Sequence, residues 1–142
     1  MIASFVIANG AVSMGKKVTM FFTFWGLNVL RKSKNKIRVK KNFIYQMFGK
    51  MMPKGSKKLS LSKMNMMCMG KKLIRSIMKK KNIESLESMI QSAMQSGVEL
   101  IACQMSMDVM GIKIEELIDG VKVGGVAMYL EATENAGANL FI

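Results

Sequence analysis

Apolar positions along this chain switch between a helical period and short continuous runs, and the alternation predicts helices separated by strands. Residues 2–14, Ile-Ala-Ser-Phe-Val-Ile-Ala-Asn-Gly-Ala-Val-Ser-Met, are small and apolar and end at Gly15. That composition suits a tightly packed helix, with Gly10 permitting close approach to a sheet. Lys17–Thr23 is rich in β-branched and aromatic residues and reads as a strand. Phe24-Trp25-Gly26 then forms the loop at its carboxyl end. Phe21, Phe22, Phe24 and Trp25 are first of all core candidates, and Phe24 and Trp25 are also placed to wall a pocket.

The second half is more sharply patterned. Leu86, Met89, Ile90, Ala93 and Met94 follow helical spacing. Asn82 is the expected N-cap, Glu84 and Glu87 favour the first turns, and Gly97 is the expected residue after the C-cap. The apolar run Val98-Glu99-Leu100-Ile101-Ala102 then reads as a buried strand delivering Cys103 to a loop that turns into a helix, with Asp108 as its cap. Glu115–Ile118 forms a further turn, and Val121–Val123 a short strand ending at Gly124-Gly125. Val126–Asn135 reads as a helix stopped near Gly137, and Asn139–Ile142 as a final strand. This order predicts one α/β domain over residues 1–142, with a parallel sheet covered on both faces. There is no internal repeat.

Between these parts the pattern weakens and charge takes over. Phe43, Ile44, Met47 and Phe48 have the spacing of a short amphipathic helix, which Met51–Ser56 ends, and Met66–Lys81 reads as another helix. Residues 1–83 hold twenty Lys/Arg and no acid, whereas residues 84–142 hold two Lys and nine Asp/Glu. The halves carry +20 and −7, giving the net +13. Such asymmetry marks contact with nucleic acid or an anionic membrane, or attraction between subunits. The plain alternative is a solvated basic excursion over about 31–63. Phe43 and Tyr45 lie in that stretch without an RNA-recognition signature, which argues against nucleic acid as a partner.

Residues 1–15 are apolar but lack the basic leader of a secretory signal. The largely apolar, thirteen-residue run Val18–Leu30 falls short of the roughly 20 residues that cross a bilayer as a helix. Two cysteines in 142 residues do not make a disulfide scaffold. A cytoplasmic protein with free thiols is expected, with peripheral membrane contact left open.

The absence of histidine removes imidazole catalysis and most zinc sites. Cys103 is therefore the best candidate for covalent chemistry. Open α/β sheets place reactive groups at the carboxyl ends of strands, and a helix start or nearby lysine supports a reactive thiolate. The competing reading is an inert cysteine packed at the end of a core strand. Cys68, in Asn65-Met66-Met67-Cys68-Met69-Gly70, invites a soft-metal hypothesis. However, seventeen methionines spread through the chain are better explained as adaptable packing residues. Gly120–Gly125 lacks the signature of a nucleotide loop and reads as a tight strand-to-helix turn. Met105 and Met107 are expected as an apolar wall beside the thiol. Asp108 is expected to cap rather than act as a base, because a neighbouring carboxylate opposes thiolate formation.

The segment Ala102–Gly111 (Ala-Cys-Gln-Met-Ser-Met-Asp-Val-Met-Gly), with Gly120–Leu130 and Phe21–Leu27 (Phe-Phe-Thr-Phe-Trp-Gly-Leu), resembles the DsrE/DsrF-like family, in its branch associated with coenzyme A-disulfide reductase-like proteins. The resemblance covers nearly the whole chain. It implies a three-layer α/β/α sandwich around a mainly parallel sheet and a sulfurtransferase or sulfur-carrier role. Cys103 would accept sulfane sulfur as a persulfide and pass it to a partner thiol, near Phe24, Trp25, Met105, Gly124 and Gly125. No organic cofactor or metal is implied. Implied partners are TusA-like or rhodanese-like sulfur carriers and further copies of the chain. No family role carries over to Cys68. Relatives usually begin with a strand that this chain is expected to lack, which would leave unpaired sheet edges prone to self-association. The rival reading is a non-enzymatic adaptor whose basic half binds an anionic membrane or a partner protein.

Overall fold

A computed structural model describes residues 1–32, 52, 54, 55 and 76–138. Helix α1, Ile2–Ser13, buries Phe5 and Ala8 and is apolar on its remaining sides as well. Its chain turns away at Gly15, whose φ of +73° suits a residue without a β-carbon. Strand β1, Thr19–Phe22, follows. Phe5 stacks on Phe22 with ring centroids 6.1 Å apart, which fixes α1 against that face of the strand.

The segment after β1 is not a loop. Phe24–Leu30 is a 3₁₀ helix, begun as the Gly26 amide donates to the Thr23 carbonyl at 2.9 Å. Leu27, Val29 and Leu30 are buried in the core, which accounts for the long apolar run. Phe24 and Trp25 are exposed instead, correcting their assignment to the core: they precede the turns that point inward.

Helix α2, Leu86–Gln95, buries Met89, Ile90 and Ala93, each full burial of a large apolar side chain being worth about 1.5–3 kcal/mol. Its cap is Ser85, whose Oγ accepts from the Ser88 amide at 3.2 Å. Asn82 is displaced from that role; with φ +54° it closes the helical turns over 76–80, a left-handed conformation that asparagine tolerates. Gly97, at φ +88°, ends α2 as expected, and the Val98 amide returns to the Ala93 carbonyl at 2.9 Å. Helices α1 and α2 pack together, joined by Asn9 Nδ2 donating to the Met89 carbonyl at 3.2 Å.

Strand β2, Glu99–Cys103, pairs in parallel with β1 through Thr19↔Glu99 to Phe22↔Ala102. Strand β3, Lys122–Gly124, pairs on its other side through Ile101↔Lys122 to Cys103↔Gly124. The order is therefore β1-β2-β3 with β2 in the middle. Helix α3, Gln104–Met110, starts without any intervening loop, and Asp108 lies inside it, not at its cap. Its carboxylate accepts from Gln104 Nε2 at 2.9 Å. A 3₁₀ turn over Ile114–Glu116 and helix α4, Val126–Glu134, complete the described elements.

The result is an α/β fold with helices on both faces of a parallel sheet. Among the described residues no helix is long and apolar enough to cross a membrane. Most of the basic excursion, the helix expected at Phe43–Phe48, Cys68, and the strand expected at Asn139–Ile142 lie outside the described residues.

Candidate functional site at the carboxyl edge of the sheet

Side chains alternate across a strand, so the sheet has two unlike faces. Phe22, Leu100 and Ala102 point into the main core with Phe5, Ile90 and Ala93. Phe21, Ile101, Cys103 and Gly124 take the opposite face. Two contacts place α4 over that second face. The Phe21 and Tyr129 rings meet at 5.5 Å. A β-carbon at Gly124 would stand 2.5 Å from Met128 Sδ and 3.0 Å from Ile101 Cγ2, so the Met128 side chain of α4 fills the space over Gly124.

Cys103 is the last residue of β2 and also the N-cap residue of α3. Its position is fixed by strands on both sides, Phe22↔Ala102 immediately before it on one and Gly124 opposite it on the other. It is a free thiol, 6% exposed. Ser106, three residues later, is fully buried with its Oγ unpartnered. The pattern gave no signal for that hydroxyl, because a lone serine between two methionines reads as surface.

The other expected site residues divide. Gly124 is buried beside Cys103, and Gly125 is exposed with open space around it. Phe24 and Trp25 lie past the carboxyl end of β1, at the same sheet edge, with Trp25 62% exposed. Met105 is exposed on α3, whereas Met107 packs into the main core and does not wall the thiol. Phe24 has φ +39°, a conformation an aromatic residue adopts only when its surroundings enforce it.

A buried polar chain anchors the residues that follow Phe24, and the charge pattern had concealed it. Asn28 Nδ2 donates to the Trp25 carbonyl at 3.2 Å, and Arg31 Nη1 donates to Asn28 Oδ1 at 3.4 Å. Arg31 Nη2 pairs with Glu116 Oε2 at 2.8 Å, both side chains being almost wholly buried. Glu116 Oε1 in turn accepts from the Lys113 amide at 3.1 Å. Arg31 therefore belongs to the fold and not to a solvated basic excursion. It holds the 3₁₀ segment against the loop that follows α3, reinforced by the Arg31↔Leu117 bridge.

At the amino edge of the sheet, away from Cys103, Lys122 Nζ donates to Glu99. That hydrogen bond holds the Glu99 carboxyl below its ordinary value of 4.5, against an opposing contribution from burial and with further help from the Lys122 charge and Thr19. Among the described residues no three His, Cys, Asp or Glu side chains gather to hold a metal ion.

What this arrangement offers chemically is one buried thiol at the carboxyl edge of the middle strand of a parallel sheet. Known proteins share the chain almost from end to end. It is 49% identical over 140 residues to the uncharacterised protein YrkE of Bacillus subtilis, covering 99% of this chain and 87% of that one. It is 32% identical over 143 residues to the sulfur carrier protein DsrE2 of Allochromatium vinosum, covering 97% and 87% respectively. The model of the DsrE/DsrF/DrsH-like family matches residues 1–141, and the chain belongs to that family.

Proposed function

We propose that this protein is a sulfur carrier that holds sulfane sulfur on Cys103 as a persulfide and passes it to the thiol of a partner protein. The observation that carries the reading is the seat of Cys103: last residue of the middle strand, N-cap of the helix that follows, at the carboxyl edge of a parallel sheet. Open α/β sheets use that edge for chemistry. The likeness to a protein named as a sulfur carrier supports the same reading.

In the loading step the Cys103 thiolate attacks the outer sulfur of a donor persulfide, R–S–SH. A new S–S bond forms to Cys103 as the donor S–S bond breaks, and the electron pair leaves on the donor thiolate. The proton stays on the transferred sulfur, and no net oxidation occurs. Unloading is the same exchange with an acceptor thiolate as the attacking group, so TusA-like or rhodanese-like carriers are suitable partners. Low exposure of Cys103 shields a persulfide from solvent between encounters.

The test is mass analysis of the intact protein after incubation with a sulfane-sulfur donor. Wild type is expected to gain one sulfur per chain and Cys103→Ser none. Equal gain by both proteins, or none in folded wild type, would refute the proposal.

A further inference from the structure

A carrier thiol that is 6% exposed must be uncovered before any partner sulfur reaches it, and the second face of the sheet shows what has to move. We propose that Met128 determines access to Cys103: its side chain closes the gap beside the thiol and swings aside when a donor or acceptor arrives. The proposal deepens the carrier reading and rests on it for the identity of the reactants; the gate itself is a separate property of α4.

The geometry runs through Gly124. Gly124 is the register partner of Cys103, on a strand about 4.8 Å away. Because Gly124 has no side chain, the space above it is taken by Met128, whose Sδ lies 2.5 Å from where a β-carbon would stand. Ile101 Cγ2 lies 3.0 Å from the same point. Since Ile101 and Cys103 alternate onto one face, Met128 sits over the face that carries the thiol.

The two sides of that gap differ in what can yield. Ile101 is β-branched, fully buried and part of the middle strand, so it moves only with the sheet. Met128 is unbranched and half-buried, and a methionine side chain rearranges at little cost. Its helix contributes no buried residue, leaves Val126 and Leu130 exposed, and rests on the sheet through β3 and the Phe21–Tyr129 ring contact. Elements held by so few buried contacts open locally at free energies well below that of global unfolding. Space for an additional sulfur atom is therefore obtained by displacing Met128, with the sheet unchanged.

The experiment uses the whole chain and quantifies the Cys103 peptide by mass spectrometry, so that Cys68 is counted apart. Alkylation by iodoacetamide and sulfur uptake from cysteine persulfide are timed for wild type, Met128→Ala, Met128→Leu and Met128→Ile. Removing the plug in Met128→Ala is expected to speed alkylation about tenfold. The stiffer Met128→Ile is expected to slow both reactions at least about threefold, with Met128→Leu between it and wild type. Rates for Met128→Ala and Met128→Leu within about twofold of wild type, with thermal melts unchanged, overturn the proposal even if Met128→Ile does not fold. Alkylation that rises only in step with urea-induced global unfolding overturns it too, because a local gate opens with little denaturant dependence. If wild type takes up no sulfur, the carrier reading falls, while the alkylation rates still decide the gate.

Discussion

Removing the Glu116 carboxylate tests the buried polar chain most directly. In Glu116→Ala the Arg31 guanidinium, 1% exposed at its side chain, loses its charged partner and keeps only the 3.4 Å bond to Asn28 Oδ1. Its Nε is already without a partner, and among the described residues no other acceptor reaches the guanidinium. Stranding a buried charge this way costs about 3–5 kcal/mol. Loss of the acceptor for the Lys113 amide at 3.1 Å acts in the same direction. Set against a typical total stability of about 5–15 kcal/mol, the substitution removes about a fifth of it or more. With a urea m-value of about 2 kcal/mol/M, the midpoint falls by about 2 M. Urea unfolding followed by circular dichroism and by the fluorescence of Trp25, the single tryptophan, measures the shift. The paired replacement Arg31→Met/Glu116→Leu removes both charges and is expected to recover most of the loss seen in Glu116→Ala. Asp119→Ala breaks the exposed pair with Lys32 and serves as the comparison, with no measurable change. A midpoint shift below about 0.5 M for Glu116→Ala, or a double variant as unstable as the single one, refutes the reasoning.

Two other outcomes follow from local chemistry. Ser85→Ala deletes the acceptor for the Ser88 amide at the start of α2 and is expected to lower stability by about 1 kcal/mol, with Ser85→Gly closer to wild type, as read by thermal melts. Glu99 has its carboxyl held below 4.5 by Lys122, so its contribution is present above the unfolded-state value and is lost as pH falls through the folded-state value. Wild type should therefore be slightly more stable than Glu99→Gln near neutrality, by no more than about 1 kcal/mol for so exposed a pair, and the two unfolding curves should converge once acidification protonates the Glu99 carboxyl.

Much of the fold was legible because its signals are local. The stripe Leu86, Met89, Ile90, Ala93, Met94 and the terminating Gly97 need only neighbouring residues to be read, and so does the apolar run that ends at Cys103. Asn82 was read as the cap because it is a good capping residue ahead of the stripe, but Ser85 takes that role and Asn82 adopts φ +54° instead. Leu27–Leu30 carry no clear period, so a 3₁₀ segment went unseen behind an expected loop. Arg31 was read with the lysines that follow it, since its partner Glu116 lies 85 positions away and no local pattern reports such a pair. Likewise, the sequence placed Cys103 and Gly124 near one sheet edge, but their register, and Met128 above it, arise only when β3 lies beside β2.

The direct passage from β2 into α3 at Cys103 has a consequence for catalytic entropy. A thiol carried on a loop must be oriented anew at each encounter. In the carrier proposed above, the backbone of Cys103 is fixed by the middle strand and by the first turn of the helix that follows, so its orientational freedom is surrendered once, when the chain folds. On that proposal the direction from which sulfur attacks would be the same in every exchange, and the ordering required at encounter would fall on the partner and on the side chains that give way to it.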